Sequence, residues 1–399
     1  MEQSIFWIAL SFGVHIAMVN LGIFLAVFVP YLKYKADKTG DKGLDSVAYK
    51  LMKFYAATYA LAGVYGTAYT VFLLSFYPDF IGLAGHLTLV PFGIAVILIG
   101  VHFFAITSYY YGWNRWGRRT HHIIGLLLAV SSILIPLGFR AVFAFLNIPV
   151  GLKVYDDGIK LDVLEALTGN PTFLPLYLKS IVGAVSAGSL VVLGGLSVSY
   201  ARTGNNAYRL GVRYVMRQLA PLAVTGLTLM PVLGLWYALS LRGAPYKFNN
   251  IFAELGWRTA DGMAYYSVSW LFILKMALYA FQVLVVLAAY RKLRAGVVEG
   301  ASIKALLYAG IAGLITIVAG EYLNAFSQYP CFVAALASGR GCSAPPGLPE
   351  ALGEVLDLRS YNVLVTIKPV VAMTVMFMAF LTLATVYFFY VLLVKEERG

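Results

Sequence analysis

Hydrophobic residues run along this chain in long blocks, with no alternation and only short polar breaks between them. Nine blocks stand out, near residues 5–32, 54–77, 85–112, 121–146, 173–200, 212–241, 266–290, 303–325 and 362–393. Each supplies the roughly 20 apolar residues that a helix needs to cross a hydrocarbon core. In lipid every backbone group must bond inside its own segment, so runs of this length predict helices rather than strands. The pattern predicts an all-α polytopic membrane bundle of nine transmembrane helices, forming a single membrane domain over residues 1–399. No soluble domain and no repeat is visible. No cleavable leader is expected either, because Met1–Ser4 lacks a basic stretch and the first block is long enough to cross.

Composition agrees. Hydrophobic residues make up 60%, charged residues 12%, and the mean hydropathy is +0.79. These values exclude an ordinary soluble domain. The net charge of +12 raises the possibility of nucleic-acid binding, but the basic residues sit in short loops between apolar blocks, which argues against it. Of the 30 Lys and Arg, 19 fall on one side of the alternating blocks, 7 on the other and 4 within blocks. The richer side is cytoplasmic. Hence the N-terminus is outside, the C-terminus is cytoplasmic, and the span count is odd. A short outer loop occupies 241–265, and a longer Gly/Pro-rich outer loop occupies 326–361. The second loop holds both cysteines, Cys331 and Cys342. An oxidising exterior permits a disulfide there, with two free thiols as the alternative. Aromatics reach 15%, which suits membrane interfaces and also a wall around a planar cofactor.

Within the apolar blocks lie residues that a bilayer should exclude: His15, His102, Arg140, Lys179, Lys275, Glu321 and Lys368. Such groups usually face a bundle interior, a cofactor or an ion path. By depth, all but His102 gather in the outer half, with an excess of cations. Haem propionates, lipid headgroups, or Glu321, Glu354 and Asp357 could balance them. Arg140 and Lys368 lie close enough to span ends to snorkel to water, and Lys179 and Lys275 are within reach of it. His15 lies near mid-membrane among Phe12, Val14, Ile16 and Met18. It can be a haem or metal ligand, a proton carrier or a hydrogen-bonded core histidine. His121 and His122, beside Arg118 and Arg119, read as solvated interface residues. No zinc spacing, phosphate-binding loop or dinucleotide fingerprint occurs.

The ordered segments FGVHIAMVNLGIFLAV, KFYAATYALAGVYGTAYTVF, YYYGWNRWGRRTHHIIGLLLAVSS, FLNIPVG and GEYLNAFSQYP…ALGEVL resemble those of subunit I of cytochrome bd-type quinol oxidases. The resemblance covers nearly the whole chain. It implies a prokaryotic cell-membrane protein that couples quinol oxidation to reduction of O2 to water, in a hetero-oligomer with a second membrane subunit. It implies haem of b and/or d type. His15 would be an axial ligand of haem iron and Glu321 the carboxylate ligand of the oxygen-reducing pair. His102 falls where the family has a glutamate on its proton path, while the other glutamate of that helix falls on Ile94. The low-spin haem would need a histidine at Lys179 and a methionine at Lys275, with Met276 alongside. Those departures imply that the low-spin site is lost, leaving Lys179, Lys275, Met276 and Arg140 as candidate contacts of a cofactor. The family's quinol loop is reduced to roughly Leu241–Tyr265, without its Gln-Pro motif. Three functions remain open: a divergent catalytic subunit, a haem-poor or haem-free paralogous partner that stabilises the catalytic subunit, and, less supported, a proton-coupled transporter.

Overall fold

The computed structural model describes residues 2–76, 85–148, 150–155, 158–259, 267–328 and 368–393. Its long helices are α1 (Glu2–Thr39), α2 (Lys42–Phe76), α3 (Leu89–Tyr111) and α4 (Arg118–Asn147). A hairpin of β1 (Leu152–Tyr155) and β2 (Gly158–Leu161) follows, then the short α5 (Val163–Thr168). The chain continues with α6 (Phe173–Arg202), α7 (Asn206–Ser240), the short α8 (Pro245–Phe252), α9 (Ser269–Arg294), α10 (Ala301–Gln328) and α11 (Lys368–Leu393). Eight of these are long and apolar enough to cross a membrane. Within α11 the apolar stretch Ala372–Tyr387 is shorter. Lys368 opens α11, and its side chain lies outside the described residues, as do Cys331, Cys342, Glu354 and Asp357.

Two helices start well before their apolar blocks. α2 begins at Lys42 rather than near 54, and α7 at Asn206 rather than near 212. Polar caps explain both. Asp41 accepts from the backbone N–H of Leu44 at 3.0 Å, and Asn205 accepts from that of Tyr208 at 3.1 Å. Capping bonds satisfy donors that the first helical turn leaves open. Beyond the hydrocarbon, polar turns can continue a helix that apolar counting ends early.

α1 and α6 are the most enclosed helices. From Ala184 to Tyr200 nearly every residue of α6 is buried, and many are small: Ser186, Ala187, Gly188, Ser189, Gly194 and Ser197 among them. Small residues let helix backbones approach closely where lipid supplies no hydrophobic force between helices. A Cβ at Gly188 would lie 2.4 Å from Cβ of Phe24, and one at Gly194 would lie 2.8 Å from Cα of Leu307. These contacts bring α1 and α10 onto α6, and the main core spreads from there over α2, α3, α4, α7 and α9. A smaller cluster, with Tyr237, Phe248, Phe252 and Leu323, fastens α8 beneath the ends of α7, α9 and α10.

Candidate functional site

His15 sits on α1 beside α2. Its Nδ1 is 2.8 Å from the carbonyl oxygen of Ala62. A carbonyl only accepts, so Nδ1 donates and Nε2 is left as a lone pair. No described residue hydrogen-bonds that Nε2. The ring faces Gly66, where a Cβ would lie 2.8 Å from Cε1 of His15. Glycine therefore leaves the imidazole its room. One turn away, Phe12 meets Tyr69 at 4.6 Å and Phe143 at 5.2 Å between ring centroids.

Glu321 approaches from α10. Gly13 packs on Val318, with 3.2 Å available to a Cβ, and Phe6 meets Tyr322 at 5.3 Å. The two contacts run in opposite directions along the helices, so α1 and α10 are antiparallel. At 1.5 Å rise per residue, His15 and Glu321 are offset by about 7–8 Å along the bundle axis. Glu321 makes no ion pair with a described residue, although Tyr69, Lys179, Lys247 and Lys275 lie within its electrostatic range.

Lys179 gathers the cations. Its ammonium stands 4.6 Å over the ring of Tyr237, and Lys275, Glu321, Arg140 and Lys247 all act on it electrostatically. Lys275 packs against α10, its Nζ 3.1 Å from the place of a Cβ at Gly320. Arg140 does not snorkel to water: it is 8% exposed, because α4 continues to Asn147 and Phe143 lies 5.6 Å under the guanidinium. It has no hydrogen bond or ion pair among the described residues, and His15 lies within its field. Met276 is elsewhere, 40% exposed on the outer face of α9.

Sequence reasoning left Lys247 in an outer loop; the structure buries it at 1% exposure. The helix α8 turns it inward, where Nζ donates to Oδ1 of Asn147 at 2.6 Å and to Oδ1 of Asn324. Asn147 passes its own N–H to the hydroxyl of Tyr237 at 3.1 Å, and so reaches the ring that carries Lys179. Burial pushes the Lys247 ammonium down to about 7, against the opposing pull of Glu321. The available signal was the run Lys247–Phe248–Asn249–Asn250, too polar for a plain hydrophobic turn.

His102 lies apart, towards the Lys/Arg-rich end, and is 3% exposed. The hydroxyl of Tyr55 is 2.5 Å from Nε2, and Nδ1 is 2.8 Å from Oγ of Ser131. Ser131 donates to the carbonyl of Leu128 at 3.1 Å, so it accepts from Nδ1–H, and Tyr55 donates to Nε2. The histidine is fully satisfied. Tyr55, Tyr59, Ala62 and Gly66 share one face of α2 by their spacing, which joins the surroundings of His102 to those of His15. His121 is not solvated as expected but buried at 2%, stacked 3.9 Å from Tyr109, while His122 pairs with Asp37 at 3.4 Å. The turn of residues 112–117 folds α4 back on α3, which encloses the first histidine and leaves the second at the rim.

The family model for cytochrome bd terminal oxidase subunit I matches residues 4–260. The fold is similar to the structure of bd oxidase from Geobacillus thermodenitrificans, with a TM-score of 0.76 and 16% identity over 98% of this chain and 96% of that chain. No curated protein matches the chain. His15, His102, Arg140, Lys179 and Lys247 lie inside the family match, whereas Lys275, Met276 and Glu321 lie beyond its end.

Proposed function

Because this chain belongs to the cytochrome bd terminal oxidase subunit I family, we propose that it holds haem at His15 and Glu321 in a complex that oxidises quinol and reduces O2 to water. At the coarser level the chain is a multi-pass membrane subunit of a bd-type terminal oxidase, a multi-subunit oxidoreductase of the membrane. The proposal includes nine crossings, with α11 as the ninth, an outside N-terminus and a cytoplasmic C-terminus.

One observation carries the reading: His15 keeps a free lone pair on Nε2 while Nδ1–H is anchored on Ala62. A metal-binding imidazole is commonly oriented in this way by a bond from its second nitrogen to a carbonyl. Gly66 preserves the space beside the ring. Glu321 is a carboxylate without an ion pair among the described residues, which suits a second iron ligand. Bound at these residues, haem iron supplies the redox chemistry and the site at which O2 is reduced. The chain's own contribution is placement and charge. Arg140, buried without a hydrogen bond or ion pair among the described residues, offers a guanidinium to the haem carboxylates. His102, between Tyr55 and Ser131, holds exchangeable protons on the cytoplasmic side, and the Tyr55–Tyr59–Ala62 face of α2 leads from it to His15. Lys247, poised near neutrality, can take up a proton at the outer side, where quinol oxidation releases them.

A low-spin haem does not fit the residues present. The resemblance asks for a histidine and a methionine where Lys179 and Lys275 stand, and Met276 is on the exposed face of α9. This misfit favours one second reading, a haem-poor paralogous partner that stabilises a catalytic subunit. Haem per chain and reduced-minus-oxidised spectra of the purified complex separate the two. A CO-sensitive high-spin band that disappears in His15→Ala supports haem at this chain. An unchanged haem count in that variant assigns the haem to another subunit.

A further inference from the structure

At the Lys/Arg-rich end, α1 to α4 close over polar side chains that the reading above does not use. Tyr109 lies in the last turn of α3, Trp113 in the following turn, and His121 in the first turn of α4. Their rings pack together, with Tyr109 to His121 at 3.9 Å, Tyr109 to Trp113 at 5.6 Å and Trp113 to His121 at 5.4 Å. All three are buried, at 0%, 5% and 2% exposure. Each nevertheless holds one buried polar atom without a hydrogen-bond partner among the described residues: Oη of Tyr109, Nε1 of Trp113 and Nδ1 of His121.

The chemistry of the three atoms is complementary. Nε2 of His121 lies 3.0 Å from the carbonyl oxygen of Tyr109. That carbonyl can only accept, so Nε2 carries the hydrogen, and Nδ1 of the neutral ring is an acceptor. Trp113 is a donor only, and the Tyr109 hydroxyl can do either. Bordering them is an ion cluster. Lys33 bonds Asp37 at 3.0 Å and Asp45 at 2.8 Å, and its ammonium lies 5.0 Å from the Trp113 ring. Asp37 and Asp45 lie within electrostatic range of the Tyr109 hydroxyl, and Asp37, Lys33 and His122 within range of His121. Asp37 is therefore near Tyr109 and His121, and Asp45 near Tyr109, without a bond to the unpaired atoms.

A buried polar atom left unpaired is costly, and three on mutually packed rings point to a bound group rather than to chance. An anion would meet the lone pair of Nδ1 and the carboxylates. A metal cation would meet the indole N–H and Lys33. Water satisfies every demand, because it can accept from Trp113 Nε1–H and Tyr109 O–H while donating to His121 Nδ1 and onward to Asp37. We propose that Tyr109, Trp113 and His121 form a site for ordered water, which ties the α3–α4 turn to the Lys33–Asp37–Asp45 cluster of α1 and α2.

The sign of a single deletion tests this in the intact complex. Tyr109→Phe removes one hydroxyl and little volume. If water bonds that hydroxyl, the thermal midpoint falls by a few degrees. If the three atoms are dry and unpaired, losing the hydroxyl relieves a buried polar group, and the midpoint rises or stays level, which overturns the site. Should the variant fail to assemble, a wild-type density map that resolves ordered water decides. Density within hydrogen-bonding distance of Nδ1, Nε1 and Oη is the expected result. A clear map with nothing there refutes it.

Discussion

Replacing Lys247 by Met should flatten the dependence of stability on alkaline pH. Lys247 is 1% exposed, and its ammonium titrates near 7 in the folded protein against an ordinary value of 10.5. Between those two values the unfolded chain holds a proton at this residue and the folded chain does not. Unfolding then takes up a proton, so stability rises with pH across the window, from about 7 to about 10.5. Below it both states are protonated, and the full cost of the buried charge is present. At 1.36 kcal/mol per pH unit the rise amounts to at most about 5 kcal/mol, and side-chain relaxation or water entry would lower it. Met keeps the length and apolar bulk but cannot titrate. It also deprives Oδ1 of Asn147 and of Asn324 of a donor, which costs on the order of 1–3 kcal/mol each if they stay dry. That second cost lowers the whole curve without changing its slope, so the two effects separate. The assay is the thermal midpoint of the purified complex at pH 6.5 to 10 in steps, at one scan rate. Wild type should gain stability along the series relative to Lys247→Met. Parallel curves would show that Lys247 stays charged in the fold, and the argument from its burial would fail.

Other substitutions test separate contacts. Gly66→Val places side-chain atoms where even a Cβ lies 2.8 Å from His15 Cε1, so it should reduce haem per chain while leaving the fold intact by circular dichroism. Normal haem content would detach His15 from the cofactor. Lys179→Ala should leave haem content unaltered, and loss of a low-spin band would show instead that this lysine ligates. Tyr55→Phe removes the hydroxyl from Nε2 of His102 and should cost about 1–3 kcal/mol of stability, together with slower proton uptake during turnover. Unchanged uptake with lowered stability would make His102 a core histidine only.

The helical type of the long segments was legible because lipid leaves an apolar run few alternatives, and eight of them are long and apolar enough to cross among the described residues. Their ends were not, since Asp41 and Asn205 extend α2 and α7 through residues that hydropathy alone assigns to loops. The loop 241–265 looked merely shortened, yet Pro245–Phe252 forms a helix that drives a lysine inward. That burial depends on Asn147 and Asn324, which come from two other helices, and no local pattern reports such a convergence. His121 and His122 show the same limit. Adjacent residues on a helix point about 100° apart, so one enters the core and the other meets Asp37 at the rim. The strands β1 and β2 were missed because apolar counting has no resolution for a four-residue strand.

Charge balance links the lysines of the outer half to the histidine of mid-membrane. Like charges in a low-dielectric interior repel strongly, and unpaired ones are seldom retained there. Among the described residues Glu321 is the carboxylate in the field of the basic groups Lys179, Lys247 and Lys275, with Arg140 beside Lys179, so basic groups outnumber acidic ones there. A haem brings carboxylates of its own. If one haem is held at His15, its carboxylates offset that excess without any low-spin haem at Lys179 and Lys275. Protonated beside those carboxylates, Lys179 and Lys275 then make sense as counter-charges rather than as degraded ligands. The same bookkeeping predicts that neutralising Lys179 and Lys275 together, as Lys→Met, weakens haem retention although neither residue need touch iron. Haem retained at the wild-type level through repeated washing of that double variant would leave the excess charge unexplained by a haem and return the site to the lipid-facing alternative.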